Sequence, residues 1–369
     1  MKFVAPRSSL LSAIERVRNV VERRSTVPIL SNLRISCVKG ELEIIGTDLD
    51  MELTARTQVS MERHGACTVP ASLLHDILRK LPDKAEVTFE QPTINEAVTL
   101  RAGRARVALP TLPVADFPDL PGPHEHAVAI EIGCDTLAKM IARVDFSIST
   151  EETRYYLNGI YLHAADGMLR AVATNGHTLG WFQTSVPAPE ALPGIILPRK
   201  ACAEIRRMSE GSQNAAKLEI SAEKVRLTID DVQLVTKVID GTFPDYLRII
   251  PQPASHLIEV EAGELSAAAA RVSAVSSARS KAVKLTFGYG ACSLFVRDPE
   301  GGGDAEDSIA ITYEGGHTVI GFNADYIAAI CSASGGGKLS VSITEPMSLA
   351  LIRVVGDESF LGLVMPMSV

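Results

Sequence analysis

Apolar side chains at helical spacing occur in three stretches of the chain that lie about 127 residues apart. In each stretch a leucine is followed six and seven residues later by arginine and valine, at positions 10–17, 137–144 and 265–272. Apolar residues three and four positions apart are typical of an amphipathic helix. The pattern therefore predicts one helix near the start of each of three equivalent segments.

Each predicted helix is followed by two runs in which apolar and polar residues alternate around a glycine-containing turn. The turns fall near Gly40, at Asp166-Gly167, and near Gly288 and Gly290. Alternation with a period of two, interrupted by a short turn with glycine, is typical of a β-hairpin. We therefore predict a hairpin after the first helix of every segment.

A second predicted helix completes each segment, beginning near Val69, Leu197 and Phe322. Phe-Pro-Asp closes the first two segments, at 117–119 and 243–245. Agreement of several landmarks on one period argues against three unrelated domains. The period is longer than the ~20–50 residues of a solenoid repeat, so each copy is expected to be a complete α+β domain.

Proline-rich stretches at 120–126 and 249–256 separate the three copies. Placing the boundaries there predicts domains at 1–122, 127–252 and 253–369. A chain of 369 residues is long enough for three domains, each with an ordinary apolar core.

The net charge of −8 argues at first against a nucleic-acid partner. Three segments are nevertheless basic: 7–24 and 198–207 each carry +3, and 271–284 carries +4, which leaves −18 for the remainder. We interpret these as basic helices that share one phosphate-facing surface. The alternative is that each simply exposes a solvated helix face. Aromatic residues make up only 5% of the chain, so stacking on single strands is not expected to dominate.

The six cysteines lie far apart without a CxxC pair, which argues against a zinc site and favours reduced, half-buried thiols. No apolar run reaches the ~18 residues of a membrane helix, and the first residues are unlike a secretory signal. We expect a cytoplasmic protein with no membrane association, metal or cofactor.

An enzyme is the main alternative class. Asp48 and Asp50 have the spacing of a solvated turn more than of a metal site, and His177 near Thr174 is a weak signal for acid–base chemistry. No nucleophile elbow, phosphate loop or HExxH motif accompanies them. The stretch GGGDAEDS at 301–308 is expected to be a mobile surface loop.

Motifs along the whole chain resemble those of the β sliding clamp of bacterial DNA polymerase III. They are the opening MKF, TVPILSNL at 26–33, GTDLDME at 46–52, RYYLNG at 154–159, GTFPDY at 241–246, FN-x2-Y at 322–326 and VMPM at 364–367. The resemblance implies three repeated clamp-type α+β domains, with helices lining a central hole and antiparallel sheets outside. It also implies a ring-shaped, head-to-tail homodimer that is not an enzyme.

By the same resemblance, the ring encircles double-stranded DNA without reading its sequence and confers processivity on the DNA polymerase III catalytic subunit. The clamp loader, other polymerases, mismatch repair proteins and ligase are the further partners that the family implies. They would bind through short linear motifs in a groove between the second and third domains. The expected groove residues are Tyr156, Leu157, Thr174, Gly176, His177, Leu179, Pro244, Arg248, Ile249, Asn323, Tyr326, Met347, Leu363, Met365, Pro366 and Met367.

Two further sets of residues follow from the resemblance and from charge. Expected DNA contacts are Arg24, Tyr155, Tyr156, Arg199 and Lys200, together with Arg279, Lys281 and Lys284, which rest on charge and position only. Expected dimer contacts are Ala274 and Val275, facing Val107 and Leu109 of the partner.

The chain departs from the family's usual pattern at several positions, among them Glu151, where the family often has a neutral polar residue. Thr178 replaces a groove arginine, and Ser368-Val369 replaces a basic residue followed by leucine, so the preferred peptide motif stays open. Ala274 and Val275 stand where larger aliphatic residues are common, which predicts a weaker dimer. A pure peptide-binding scaffold and an accessory copy of the clamp also remain as alternatives.

Overall fold

The computed structural model describes residues 1–22, 26–124, 126–254, 256–276, 281–298, 301–345 and 347–369. The chain folds as two compact units. The first unit comprises residues 1–135 with 207–238, and the second comprises residues 136–206 with 239–369.

Six α-helices lie within the described residues, and each occupies a position that the apolar pattern predicts. They are α1 Arg7–Val17, α2 Ala71–Lys80, α3 Cys134–Val144, α4 Arg199–Ser209, α5 Ala262–Ser273 and α6 Ala324–Ala333. In α1 the buried residues are Leu10, Ala13, Ile14 and Val17, the spacing of a single helix face. All six predicted helices are confirmed.

Within the described residues the remaining regular structure consists mainly of short strands. They are β1 Lys2–Pro6, β2 Asn32–Val38, β3 Glu41–Thr47, β4 Met51–Gln58, β5 Ser60–Arg63, β6 Gly65–Pro70, β7 Glu86–Glu90, β8 Val98–Ala102, β9 Ala105–Leu109, β10 Val128–Gly133, β11 Gly159–Ala165, β12 Met168–Thr174, β13 Thr178–Pro187, β14 Ile195–Pro198, β15 Ala215–Ile220, β16 Lys224–Ile229, β17 Val232–Lys237, β18 Ile258–Glu261, β19 Ala282–Gly288, β20 Ala291–Arg297, β21 Asp304–Ala310, β22 Thr318–Asn323, β23 Lys338–Ser342, β24 Ala350–Val354 and β25 Asp357–Val364.

The first unit contains two antiparallel sheets. One has five strands in the order β5-β1-β7-β8-β9, and the other has eight in the order β10-β15-β16-β17-β4-β3-β2-β6. The rings of Phe3 and Phe89 stack in its core with centroids 5.0 Å apart. The predicted hairpin of β2 and β3 turns at Lys39-Gly40, where both φ angles are positive (54° and 82°) as a type I′ turn requires.

The second unit also contains one eight-stranded sheet, with the order β14-β11-β12-β13-β25-β24-β23-β18, and a four-stranded sheet, β21-β20-β19-β22. The predicted hairpin of β11 and β12 turns at Asp166-Gly167, with φ of 52° and 74°. The third predicted hairpin, of β19 and β20, turns through Gly290 at a φ of 74°. All three hairpins are confirmed.

Both eight-stranded sheets join strands from two of the three repeats. In the first unit β17 pairs with β4, and in the second unit β13 pairs with β25. The middle repeat is therefore divided: β10 and β15–β17 belong to the first unit, whereas β11–β14 belong to the second. Strand pairing across repeats satisfies backbone groups that would otherwise lie at an exposed sheet edge.

Two expectations from the sequence are wrong. Residues 304–310 form the edge strand β21, which pairs with β20, so the GGGDAEDS stretch is not wholly a loop. Its polar side chains are compatible with a strand because an edge strand faces solvent. The basic segment 271–284 is not a helix either: α5 ends at Ser273, and Lys284 lies on β19.

Candidate functional site

An apolar pocket of about 360 Å³ lies on the second unit, on the face of its eight-stranded sheet. Its walls are Arg154, Tyr156, Leu157, Thr174, Gly176, His177, Thr178, Leu179, Pro244, Ile249, Leu349, Leu363 and Met365. We refer to this cavity as the apolar pocket. Concave apolar sites with a few polar groups at the rim are the usual form of ligand-binding sites.

The floor of the apolar pocket is part of the unit's core. Leu157, Leu179 and Leu363 are almost fully buried and belong to one cluster with Phe243 and Tyr246. The rim differs: Ile249 is 45% exposed and Met365 is 42% exposed. Core packing fixes the floor, whereas the exposed apolar rim is available to a ligand.

The turn between β12 and β13 forms one wall and is held by side-chain hydrogen bonds. Thr174 Oγ1 donates to the carbonyl oxygen of Thr178 at 2.7 Å. Asn175 Oδ1 accepts from the backbone N–H of His177 at 2.9 Å and of Thr178 at 2.8 Å. These bonds form an Asx turn, a local structure that asparagine favours. They hold Gly176 at a φ of 88°, in the left-handed region.

Arg154 closes the rim beside this turn. Its guanidinium donates to both carboxylate oxygens of Glu151, at 2.8 and 2.7 Å, and this pair lowers the pKa of Glu151. A Cβ on Gly176 would lie only 2.7 Å from Nη1 of Arg154. Glycine adopts this φ with little strain, and the end of the arginine side chain occupies the space beside its Cα.

Ten of the sixteen expected groove residues line the apolar pocket. The six that do not are Arg248, Asn323, Tyr326, Met347, Pro366 and Met367. Arg248 forms an ion pair with Asp245 at 2.7 Å and is exposed. Asn323 caps α6 by accepting from the N–H of Asp325. Helix capping and surface pairing therefore occupy these two side chains.

The other four lie outside the cavity for different reasons. Tyr326 stacks on His177, with ring centroids 6.1 Å apart. The backbone N–H of Met367 donates to the carbonyl of Gly321, and Met347 is 65% exposed. Pro366 is half-buried between two residues that make backbone bonds. Tyr326 thus extends the surface beyond His177 without entering the pocket.

Three lining residues, Arg154, Thr178 and Leu349, were not expected. Arg154 belongs to the RYYLNG motif, so its place beside Tyr156 was the one available signal. Thr178 enters because the Asx turn brings it next to Thr174. Leu349 immediately precedes β24, and only the pairing of β24 with β25 brings it to the pocket.

The expected DNA contacts are described in part. Arg24 and Arg279 lie outside the described residues. Tyr155 is 53% exposed, and Arg199 and Lys200 are exposed in the first turn of α4. Tyr156 lines the apolar pocket and meets Tyr155 edge-on at 5.9 Å.

Several basic residues of the expected phosphate-facing surface have acidic neighbours. Lys281 pairs with Asp325 at 3.2 Å, whereas Lys284 is exposed on β19. Within α1, Arg7 pairs with Asp83 at 2.9 Å and Arg16 pairs with Asp231. The formal charge of α1 therefore overstates the positive charge that it offers to phosphates.

The expected dimer residues lie on β9, which is a free sheet edge, and directly after α5. β9, at the edge of the five-stranded sheet, carries Val107 half-buried, but Leu109 is fully buried by its own unit. Leu109 therefore has no surface to offer a partner, which corrects that expectation. Ala274 is exposed and Val275 half-buried, directly after α5.

The edge strands β9, of the five-stranded sheet, and β21, of the four-stranded sheet, carry opposite charge. Arg101 and Arg106 stand directly opposite each other on β8 and β9, with Arg104 in the turn between them, and all three are exposed. Like charges in such cross-strand positions are destabilising unless an anion compensates them. β21 exposes Asp304 and Glu306 instead. The basic edge and the acidic edge are complementary surfaces.

The described residues give no support to metal or thiol chemistry. No three side chains of the His, Cys, Asp and Glu type gather closely enough there to hold a metal ion. All six cysteines are free and buried, and burial raises the pKa of Cys67, Cys292 and Cys331 to about 12. Such thiols carry almost no thiolate at neutral pH. No helix of the described chain is long and apolar enough to cross a membrane.

Comparison with known proteins covers the entire length of the chain. Residues 1–121, 131–245 and 247–368 match the N-terminal, central and C-terminal domains of the DNA polymerase III beta subunit. The beta sliding clamp of Caulobacter vibrioides is 38% identical, with both chains fully covered. A sliding clamp from Bartonella birtlesii, solved with griselimycin bound, superposes with a TM-score of 0.95 at 37% identity over all of both chains. The beta sliding clamp of C. crescentus gives 0.95 at 38% identity, covering 100% of this chain and 99% of that one.

Proposed function

This chain belongs to the DNA polymerase III beta subunit family, and we propose that its apolar pocket binds short peptide segments of the proteins that the clamp serves. Members of the family are beta sliding clamps, non-catalytic processivity factors of DNA replication. The chain is accordingly a sliding clamp and not an enzyme, with DNA and a polymerase as partners and a homodimer as its working form.

The observation that carries the peptide proposal is the contrast between floor and rim of the apolar pocket. Buried leucines provide a preformed floor. At the rim, the apolar side chains of Ile249 and Met365 are exposed to solvent and are available to contact a peptide. Methionine adapts its shape to different partners, which suits a site that serves several proteins. Gly176 adds no side chain of its own to the rim, where the flexible end of Arg154 lies beside it.

The size of the pocket predicts a moderate affinity. Two buried apolar side chains contribute roughly 1.5–3 kcal/mol each, and ordering of a flexible peptide opposes this gain. The balance corresponds to roughly micromolar dissociation constants. Rapid exchange among partners requires such weak binding, since each must leave before the next one binds.

The partners proposed for the apolar pocket are the DNA polymerase III catalytic subunit, the clamp loader, other polymerases, mismatch repair proteins and ligase. Each is expected to carry a short linear segment with two apolar anchors. Thr178 adds no charge to the pocket, so binding is expected to depend on apolar contacts and on the rim arginine, Arg154.

We propose that the homodimer forms where the basic edge of one copy meets the acidic edge of the next. Pairing β9 with β21 of the partner would extend both sheets and satisfy their free backbone groups. Arg104 and Arg106 would approach Asp304 and Glu306, which removes the like-charge repulsion on β9. A basic edge and an acidic edge on each copy give a head-to-tail interface, and such an interface closes into a ring when its rotation permits.

The proposed DNA-facing residues are Tyr155, Arg199, Lys200 and Lys284, with Lys281, Tyr156, Arg24 and Arg279 as further members of the set. Their chemistry suits phosphate contacts that carry no sequence information. Such contacts are weakened by salt, which allows a closed ring to slide along DNA. We place this activity in the cytoplasm, and the domain boundaries 1–122, 127–252 and 253–369 remain our proposal.

Deleting residues 365–369 tests the peptide site. The deletion removes Met365 from the rim, together with the bond that its N–H donates to the carbonyl of His177 at 2.8 Å. We expect peptide binding, measured by fluorescence anisotropy, to fall at least 100-fold, whereas sedimentation shows an unchanged dimer. Unchanged peptide affinity in the truncated protein would overturn the assignment of the pocket.

A further inference from the structure

A second cavity, with a volume of about 510 Å³, lies on the second unit beside the apolar pocket. Its walls include Arg170, Trp181, Leu247, Ile250, Arg353 and Leu361. We call it the Trp181 pocket. None of these residues lines the apolar pocket, so the two cavities are separate.

The same structural elements build both cavities. β13 contributes Leu179 to the apolar pocket and Trp181 to the Trp181 pocket, and β25 contributes Leu363 and Leu361 in the same way. Residues two apart on a strand share one face and are separated by about 6.8 Å. The cavities are therefore neighbours on one sheet face, within reach of about two to four residues of extended peptide.

The short helical turn Tyr246–Ile249 lies between the two cavities and gives each of them a side chain. Ile249 lines the apolar pocket, whereas Leu247 lines the Trp181 pocket. Leu247 is 57% exposed and Ile249 is 45% exposed, whereas Tyr246, the first residue of the turn, is buried. The turn thus presents one exposed apolar side chain to each cavity, with the exposed Arg248 between them in sequence.

The two arginines of the Trp181 pocket differ in their partners. Arg170 is fully engaged: it donates to Asp166, to Gln183 and to the hydroxyl of Tyr246, and it lies over the Trp181 ring at 5.0 Å. Arg353 is half-buried, and among the described residues its side chain has no ion pair or hydrogen bond. The pocket therefore offers an indole, a leucine floor and one uncompensated guanidinium.

We propose that the Trp181 pocket receives the continuation of the peptide segment that fills the apolar pocket, and that it selects a large apolar side chain next to an acidic residue. The apolar side chain packs on Trp181 and Leu361, and the carboxylate pairs with Arg353. This inference rests on the peptide-binding function proposed for the apolar pocket. Clamp partners with such an extension bind more tightly than those without it.

Trp181 provides a direct probe, because it is the only tryptophan of the chain. The full-length dimer is titrated with a tryptophan-free peptide that carries two leucine anchors. It is also titrated with two extended versions, one with Gly-Ser-Phe-Glu added at the N-terminus and one with it added at the C-terminus. Calorimetry measures the affinity of each peptide, and the fluorescence emission of Trp181 reports on occupation of the Trp181 pocket. We expect one extended peptide to bind about tenfold more tightly and to shift the emission, while the unextended peptide leaves it unchanged.

Substitution of Arg353 separates the two sites. Arg353→Glu should remove the tenfold advantage without changing the affinity of the unextended peptide, and Arg353→Lys should restore part of it. Arg79→Glu, the same charge change at an exposed position of α2, is the matched control and should leave both affinities unchanged.

The outcomes distinguish this inference from the function on which it rests. Binding of the unextended peptide with no gain from either extension would overturn the Trp181 pocket alone. Failure of both peptides to bind would overturn the peptide function and the extension together. An emission change that follows protein concentration in the absence of peptide would assign the cavity to contacts between clamp copies and would also overturn the inference.

Discussion

The two eight-stranded sheets of this protein have the same architecture, yet only the second bears the apolar pocket assigned here. The turn between β3 and β4 in the first unit matches the turn between β12 and β13 in the second. Thr47 Oγ1 donates to the carbonyl of Met51 at 3.0 Å, and Asp48 Oδ1 accepts from the N–H of Asp50 and Met51. Thr174 and Asn175 make the corresponding bonds in the second unit.

The residue at the centre of this turn differs. Leu49 and Gly176 both have a positive φ, 79° and 88°, but leucine projects a side chain where glycine leaves space. Next to the turn of the first unit, Ile29, Leu30, Ile45 and Phe117 pack as a closed apolar cluster. The repeated fold therefore supplies the platform, and small local differences determine where a ligand binds.

The free edge strands β9 and β21 also differ, in the charge of their exposed side chains. β9 of the first unit is surrounded by exposed arginines, whereas β21 of the second exposes Asp304 and Glu306. Edge strands are prone to unwanted pairing, and charge is one means of restricting them to a correct partner. Opposite charges on the two edges therefore favour a heterotypic contact over self-pairing of like edges.

The largest expected effect comes from making the second turn like the first. Gly176→Leu places a side chain against Arg154 and over the pocket floor, so peptide affinity should fall at least 100-fold by anisotropy. The strain of a leucine at this φ costs about 1–2 kcal/mol, which thermal unfolding will register as a modest loss. Leu49→Gly is the matched control, and it should leave peptide affinity unchanged. Equal peptide binding by Gly176→Leu and the unaltered protein would refute the comparison.

The next effect concerns the charged edges. Arg106→Glu should weaken the dimer at least tenfold in sedimentation experiments, because it places a carboxylate against the acidic edge of the partner. The double change Arg106→Glu with Glu306→Arg should restore much of the affinity. Glu86→Arg, at an exposed position away from both edges, serves as a control for altered net charge. If Arg106→Glu leaves the dimer unchanged, the proposed contact between β9 and β21 is wrong.

The smallest expected effect concerns the rim arginine. Arg154→Ala should lower peptide affinity by about two- to fivefold, since an exposed ion pair contributes little. The hydrogen bond from Arg154 lowers the pKa of Glu151, so Glu151 stays ionised as the pH falls to about 5. The effect of Arg154→Ala should therefore be constant from neutral pH down to about pH 5 and diminish only below it. An effect of Arg154→Ala that varies between neutral pH and about pH 5 would contradict this expectation.

Local patterns were sufficient to predict the helices and hairpins. The apolar residues that predict α1, α3 and α5 are three and four positions apart, so the signal is local in sequence. The turn at Asp166-Gly167 is likewise determined by the two residues that form it. β21 was missed because it follows three glycines and is rich in acidic residues, with Asp307 at an inward position where a half-buried strand usually has an apolar residue. An edge strand needs only backbone pairing with β20, and side-chain pattern does not report this.

Parts of the site that depend on distant pairing were also missed. Leu349 reaches the apolar pocket through the ladder between β24 and β25, and nothing near it in sequence indicates this. Leu109 was expected at an interface from the family resemblance, but on β9 its side chain is fully buried by its own unit. The Trp181 pocket requires Leu247 of the turn Tyr246–Ile249 to meet Trp181 of β13 and Arg353 of β24, a placement that only tertiary structure defines.

Retention on circular and on linear DNA tests whether the closed dimer encircles DNA. The protein is loaded by its clamp loader and ATP onto nicked circular DNA, half of the sample is linearised, and bound protein is measured after gel filtration. We predict that protein persists on the circles and is lost from the linear molecules, because a ring held by topology slides off a free end. Equal retention on both forms would contradict this account.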